Sequence, residues 1–455
     1  MSELIQMKTG TLVMGFAVAT ALGSLWGAEP ALQLSAKLET PVVLQTAKSV
    51  HVLVRLRAQR QEGDGVKEPL NLALVLDRSG SMAGTKIADA RTAAVQMLER
   101  MRDGDRVAVV SYSDEVRVDV ESTVLNEETR VRVRNAIHRI SSDGSTNLGG
   151  GLVEGLAQVR KHRGAAEGVN RVLLISDGLA NRGIQDPKEL NQIARKALQE
   201  GIVTTTIGLG EDYNEDLMTA LADHGGGNYY FVQNSEKIAN TLNDEVRQMA
   251  ATVAKSVSLH VTLPDKVKLD KVFGWVPKEE GGLVIVPMGE FFSGQMRSVL
   301  WKFTLPDGLK EGEQVSLGKM ELTYKGVGDD GKLERFASEP LTIKVTTKED
   351  VVLAAKDQEV AARVAEIELA SRMEEAANLV ATRQFDKAKA VLGQAVTWAK
   401  DAQGAMPAPA AASLNEAMMS AEKMQQQVNE AEHSETAQKA FTKGSKAAAQ
   451  MLKKK

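Results

Sequence analysis

Between Leu70 and about Ala250, short and wholly apolar segments alternate with amphipathic ones, and nothing else in the chain limits its fold as strongly. The spacing predicts strands at Asn71–Leu76, Arg106–Tyr112, Glu115–Val120, Asn170–Ile175, Ile202–Leu209 and Tyr229–Val232. It predicts helices near Thr85–Met101, Glu127–Ile140, Leu148–Arg163, Pro187–Glu200, Asn214–Ala222 and Ser235–Met249. A strand apolar on both faces needs cover on both, so this alternation implies a parallel sheet between two helical layers, the doubly wound α/β class. Glu115–Val120 follows its neighbour after a tight turn and is expected as an antiparallel edge strand.

Outside that stretch the periodicity falls to two. Glu39–Arg57 contains the alternating run Val50-His51-Val52-Leu53-Val54-Arg55-Leu56, broken by Gln61-Glu62-Gly63-Asp64-Gly65. Alternation returns at Ser256–Leu263, Leu283–Val286, Gln295–Leu305, Leu317–Tyr324 and Leu333–Val345, with Gly328-Asp329-Asp330-Gly331 as a hairpin turn. Strands in residues 29–69 are too few to fold alone. They are expected to complete one antiparallel β sandwich with residues 251–347, which makes the α/β domain of residues 70–250 an insertion in it. Residues 348–403, with Val360, Val364, Ile367, Leu379, Ala388, Val391 and Leu392 at helical spacing, predict a helical hairpin turning at Arg383-Gln384-Phe385-Asp386. Residues 404–455 read as a linker, a final helix from Ser413 and a solvated basic end at Lys453-Lys454-Lys455.

Residues 1–28 read as an export signal or, if retained, a membrane anchor, because Thr11–Ala28 carries no charge and a polar, strand-like sequence follows at once. Export places the protein in the periplasm or outside the cell. The net charge is −4, from 56 Lys+Arg against 60 Asp+Glu, which offers no basic footprint for nucleic acid. Cysteine is absent, so disulfides, thiolate metal sites and cysteine nucleophiles are excluded and any metal must be held by oxygen or histidine.

Leu74-Val75-Leu76-Asp77-Arg78-Ser79-Gly80-Ser81-Met82 places three oxygen-bearing side chains at alternate positions just beyond a buried strand. In an open α/β sheet, ligands bind past the carboxyl ends of the strands where strand order reverses. Gly144-Ser145-Thr146-Asn147 and Leu173-Leu174-Ile175-Ser176-Asp177-Gly178 end at the same edge. Together they assemble Asp77, Ser79, Ser81, Thr146 and Asp177. Hydroxyl and carboxylate oxygens without His or Cys suit a hard cation, Mg2+ above all.

These segments resemble the von Willebrand factor type A domain, and the Asp-x-Ser-x-Ser, Thr and Asp-Gly parts match that family's metal-ion-dependent adhesion site. The resemblance extends over about Leu70–Ala250, through Val109-Val110-Ser111-Tyr112-Ser113-Asp114 and Gly225-Gly226-Gly227-Asn228-Tyr229-Tyr230. Ser176-Asp177-Gly178-Leu179-Ala180-Asn181-Arg182-Gly183 is similar to the versions in bacterial secreted proteins and in inter-alpha-trypsin inhibitor heavy chains. The resemblance implies a Rossmann-like domain without nucleotide that holds Mg2+, or Mn2+ or Ca2+ in its place, with an open position filled by a carboxylate of a protein partner. It implies direct coordination by Ser79 and Ser81, coordination by Thr146 directly or through water, and contact from Asp77 and Asp177 largely through waters and hydrogen bonds.

Other chemistries fail on particular residues. A haloacid dehalogenase-like phosphatase needs an aspartate where Ser79 stands, and Gly149-Gly150-Gly151-Leu152 lacks the lysine of a P-loop. The six histidines are scattered, with no His-Glu-x-x-His pair, and no nucleophile elbow occurs. A binding protein for adhesion or scaffolding, not an enzyme, is the expectation; an accessory subunit of an AAA+ remodelling or metal-insertion machine is the alternative, for which a cytosolic chain would have no use of Thr11–Ala28.

Overall fold

The computed structural model describes residues 30–61, 68–163, 168–210, 212–327, 332–404, 406 and 408–454. The segment at 1–28, most of the break after Gln61, the turn at Gly328–Gly331 and Ala405 and Pro407 of the linker lie outside these residues. Among the described residues no helix is long and apolar enough to cross a membrane.

Strands β1 (Leu32–Leu38), β2 (Val42–Leu44) and β3 (Ser49–Ala58) come first. The α/β domain follows, with β4 (Leu70–Asp77), α1 (Thr85–Arg100), β5 (Arg106–Tyr112), β6 (Val116–Val124), α2 (Glu127–His138) and α3 (Leu148–Arg160). It continues through β7 (Val169–Ser176), α4 (Pro187–Gln199), β8 (Ile202–Leu209), α5 (Glu215–His224), β9 (Gly226–Val232) and α6 (Ile238–Ala250). The sheet order is β6-β5-β4-β7-β8-β9, parallel except for β6 at one edge. Alternate residues of β4 serve the two faces. Leu70, Leu72, Leu74 and Leu76 pack with Ile87, Leu98 and Val246, while Ala73 and Val75 pack with Leu152, Leu190 and Leu221. The domain is therefore doubly wound, as the apolar strands require. Strand β9 begins at Gly226, three residues before its expected start, because the glycines let the backbone press against β8: a Cβ on Gly227 would lie 2.2 Å from the Thr204 carbonyl oxygen.

The chain then returns to β structure, with β10 (Thr252–Thr262), β11 (Lys268–Val272), β12 (Lys278–Glu280), β13 (Leu283–Phe292) and β14 (Met296–Thr304). The rest are β15 (Gln314–Gly318), β16 (Met320–Gly326), β17 (Leu333–Ala337) and β18 (Leu341–Thr346). One sheet runs β1-β3-β14-β11, a second β12-β13-β10-β16-β17 and a small third β15-β18-β2. Strand β3 pairs with β14 from Ser49↔Thr304 to Arg57↔Met296, so early and late segments share a sheet. They also share a core, in which Val52, Val54 and Leu56 meet Leu259, Val286, Trp301, Phe303 and Tyr324. The α/β domain is thus inserted in a discontinuous sandwich, antiparallel except where β2 joins β18 in parallel.

Two expected strands are each divided. Gly318, at φ +96°, parts β15 from β16, and Pro340, with no N–H to donate, lies between β17 and β18. Strand β10 starts four residues earlier than the alternation suggests, because a bulge at Ser256, φ +50°, interrupts the period.

Helices α7 (Glu349–Ala354), α8 (Gln358–Ala381), α9 (Phe385–Gly404), α10 (Ala408–His433) and α11 (Glu435–Lys454) complete the chain. The single final helix expected from Ser413 is two, parted at Ser434, whose hydroxyl accepts from the Ala437 N–H. Helices α8 to α11 share one core that includes Leu369, Met373, Leu392, Leu414, Met418 and Phe441, so a four-helix bundle replaces the hairpin plus separate helix. The basic end is not simply solvated either, since Lys453 pairs with Glu374 in α8. Helix α11 also reaches the α/β domain, where Ala447 joins the core under β9 and Lys443 lies 2.9 Å from Glu215.

Candidate metal centre

Strand β4 ends at Asp77, between β5 and β7, where the order of the sheet reverses. One Asp77 carboxylate oxygen accepts the Ser79 backbone N–H at 2.8 Å and the other accepts the Ser176 hydroxyl at 2.8 Å. Asp77 is fully buried, and burial pushes its carboxyl up to about 6, against hydrogen bonds from Ser79 and Ser176 and with the Asp177 charge adding to the rise. A carboxylate so placed gains from a neighbouring cation.

The loop after Asp77 makes one 3-10 turn, Gly80–Met82, before α1. It is tied to the Thr146 loop by Gly80 N–H to the Gly144 carbonyl, 2.9 Å, and Asp143 N–H to the Arg78 carbonyl, 2.7 Å. The Ser79 and Ser81 hydroxyls are 3.0 Å apart, and Ser81 donates to Asp177 Oδ1 at 2.7 Å. Thr146 is buried and held by Asn181, which accepts its N–H at 2.9 Å and donates an N–H back to its carbonyl. A Cβ on Gly178 would stand 3.1 Å from the Thr146 hydroxyl and 3.4 Å from that of Ser81, so glycine keeps open a small space faced by both hydroxyls. All five residues singled out from the sequence meet at one end of the sheet.

The glycines of α3 serve this geometry. A Cβ on Gly149 would lie 2.6 Å from the Ile184 carbonyl oxygen, one on Gly151 2.5 Å from the Tyr112 ring and one on Gly155 2.3 Å from Val75. The helix that follows Thr146 therefore packs directly on the sheet.

Three further residues take part. Ser176 and Asn181 orient Asp77 and Thr146, and Lys86 in the first turn of α1 places its ammonium 2.6 Å from Asp177 Oδ2. Lys86 carries a legible signal: a cation at a helix N-terminus opposes the helix dipole and calls for a nearby anion. No group of three or more His, Asp or Glu among the described residues is arranged to hold a metal ion, so a cation here needs the hydroxyls as well as the carboxylates. Three hydroxyls and two carboxylates form a hard-oxygen set that fits Mg2+, which favours oxygen ligands and retains waters.

Residues 71–245 match the von Willebrand factor type A domain family. The chain is 31% identical over 262 residues to the protein YfbK of Escherichia coli (strain K12), covering 55% of this chain and 43% of that protein. It is 29% identical over 164 residues to inter-alpha-trypsin inhibitor heavy chain H3 of Homo sapiens, covering 34% of this chain and 18% of that one. This chain thus spans less than half the length of either relative. Among solved structures, a von Willebrand factor type A protein from Catenulispora acidiphila superposes with a TM-score of 0.70 at 18% identity, covering 86% of this chain and 89% of its own. The ArnB paralog VWA2 from Sulfolobus acidocaldarius gives 0.59 at 19% identity, covering 92% and 99%. These likenesses establish the fold, and they reach well past the α/β domain into the sandwich and helices.

Proposed function

Because the chain carries a von Willebrand factor type A domain over residues 71–245, we propose that it is an exported binding protein, an adhesion or scaffold module that holds its partner through one divalent cation. Ser79, Ser81 and Thr146 would coordinate the ion through their hydroxyls, while Asp77 and Asp177 would hold it mainly through waters and hydrogen bonds. Mg2+ suits this set best, with Mn2+ or Ca2+ able to replace it. When bound, the ion supplies a positive centre at the protein surface. Neutral hydroxyl ligands leave it much of its charge, which favours a carboxylate of the partner as the completing ligand. The observation that carries this reading is the convergence of three hydroxyls and two fully buried carboxylates at the switch point of the sheet. Leu179, 57% exposed just after Asp177, gives a partner an apolar contact beside the ion. The sandwich serves as a mount and the helices as a second surface, and the uncharged segment at Thr11–Ala28 supports export, with membrane attachment where it is retained.

Calorimetry of the full chain with Mg2+ and with Mn2+ tests the site. One saturable ion per chain is expected, and Asp77→Ala should abolish it. Unchanged stoichiometry in that variant would overturn the assignment. Partner capture from the native extract, repeated with EDTA, tests the function; capture undiminished by EDTA would place the contact elsewhere.

A further inference from the structure

We infer that Lys86 sets the acidic-ligand requirement of this site: by pairing with Asp177 it leaves the centre around the bound cation one negative charge short of neutrality, so that a carboxylate from outside completes the balance. The inference rests on the cation-site reading above.

Lys86 lies in the first turn of α1, where the helix dipole disfavours a cation. Its side chain is nonetheless only 29% exposed and meets a fully buried carboxylate, with Nζ 2.6 Å from Asp177 Oδ2. The other oxygen of the same carboxylate accepts the Ser81 hydroxyl at 2.7 Å. Asp177 is therefore shared between a fixed internal cation and a hydroxyl of the ligand set. Gly210, just past the end of β8, lies beside the ammonium: a Cβ there, at φ +67°, would stand 3.6 Å from Lys86 Nζ.

The local charges can be counted. Among the described residues at the site, Asp77 and Asp177 contribute −2 and Lys86 +1, leaving −1 against the +2 of the ion. Asp114 is paired with Arg182 at 2.9 Å and Asp212 with Lys439 at 3.0 Å, so neither adds net charge. Asp143, on the Thr146 loop, is exposed to water and screened. With Lys86 in place, an acidic ligand brings the centre to neutrality. Without it, the two carboxylates already balance the ion and an incoming anion gains little. Lys86 is thus a positioning and charge-setting residue that acts through Asp177 and need not touch the ion.

The test compares wild type, Lys86→Met, Lys86→Gln and Lys86→Arg by Mn2+ titration, read by electron paramagnetic resonance, with and without acetate as a carboxylate probe. Circular dichroism melting checks that each variant folds. Wild type should bind Mn2+ more tightly as acetate rises. Lys86→Met and Lys86→Gln should bind Mn2+ roughly tenfold more tightly than wild type without acetate and lose most of the acetate dependence. Lys86→Arg, which keeps the charge, should retain the wild-type pattern. Equal or weaker Mn2+ binding by folded Lys86→Met and Lys86→Gln, with the acetate dependence intact, would overturn the inference while leaving the cation site standing. Failure of wild type to bind Mn2+ at all would overturn the site reading itself, and this inference with it.

Discussion

The Tyr112 hydroxyl at the end of β5 donates to the Ile175 carbonyl of β7 at 2.9 Å, across β4, the strand between them that ends at Asp77. The bond ties the two strands flanking Asp77, one of which leads directly into Asp177. Tyr112→Phe removes the donor without changing ring packing against Gly151. It should cost about 1 kcal/mol of stability and weaken Mn2+ binding several-fold, as read by denaturant unfolding and calorimetry. Unaltered metal binding at lowered stability would confine the bond to a structural role.

Gly178 offers a narrower test. Alanine there would place a methyl group 3.1 Å from the Thr146 hydroxyl, displacing that proposed ligand by tenths of an ångström, and 3.4 Å from that of Ser81, filling the space between them. Gly178→Ala should therefore keep its melting temperature and lose roughly tenfold in Mn2+ affinity, a change of about 1.4 kcal/mol. Wild-type affinity in calorimetry would show that the cation sits away from these hydroxyls.

Arg171 joins the inserted domain to its mount. From β7 it donates to Glu245 of α6 at 2.6 Å and to Glu290 of β13, and all three side chains are buried. Thr205, Asn228 and Tyr230 add hydrogen bonds to Glu245. Arg171→Met would leave two carboxylates buried without their cation and should cost about 3–5 kcal/mol. Adding Glu245→Gln and Glu290→Gln should recover much of that loss, because no carboxylate is then left buried without its Arg171 partner. Chemical denaturation of the single and triple variants decides it.

Sequence periodicity revealed the sheet because β4 commits Leu70, Leu72, Leu74 and Leu76 to one face and Ala73 and Val75 to the other, a pattern that requires two helical layers. Asp77 and Asp177 were legible for the same reason, each lying just past an apolar run, 72–76 and 172–175. The sandwich insertion followed from counting strands. What local patterns do not carry is pairing between distant charges. Arg171 stands as a charge inside an apolar strand, which signals a buried partner, yet its partners at 245 and 290 lie far along the chain. Strands β11 and β12 were missed because they lie at sheet edges with mainly exposed, charged residues and no alternation to detect. Nor does any local pattern show that Lys439, Lys443 and Lys446, a stripe along α11, meet acidic residues around the start of α5.

That stripe sets the last prediction. Lys443 donates to the Tyr213 carbonyl and to Glu215 at 2.9 Å, Lys446 reaches Asp216 at 2.6 Å, and Lys439 reaches Asp212 at 3.0 Å. Burial pushes the Glu215 carboxyl up, but the hydrogen bond and charge of Lys443, with the charge of Lys446, outweigh it and hold the group below the usual carboxylate range. The hydrogen bond from Lys439, with its charge, does the same for Asp212. A carboxyl depressed in the docked state binds fewer protons there than when released, so docking gains from it at neutral pH. That gain is lost as pH falls through the docked value. Helix α11 should therefore hold to the α/β domain at pH 7 and loosen under acid, starting below about 4.5, the upper end of ordinary carboxylate values. The chain has no cysteine, so Met451→Cys, at an exposed position on α11, gives a single site for a spin label. The label's mobile fraction should stay low from pH 7 to about 4.5 and rise as the pH falls further, towards about 3, while circular dichroism keeps its helical signal. Lys443→Met should show the mobile form already at pH 7, since Glu215 then loses its buried partner. A label equally immobile in both proteins at every pH would mean that apolar packing around Ala447 and Phe441, not the lysine stripe, holds the helix in place.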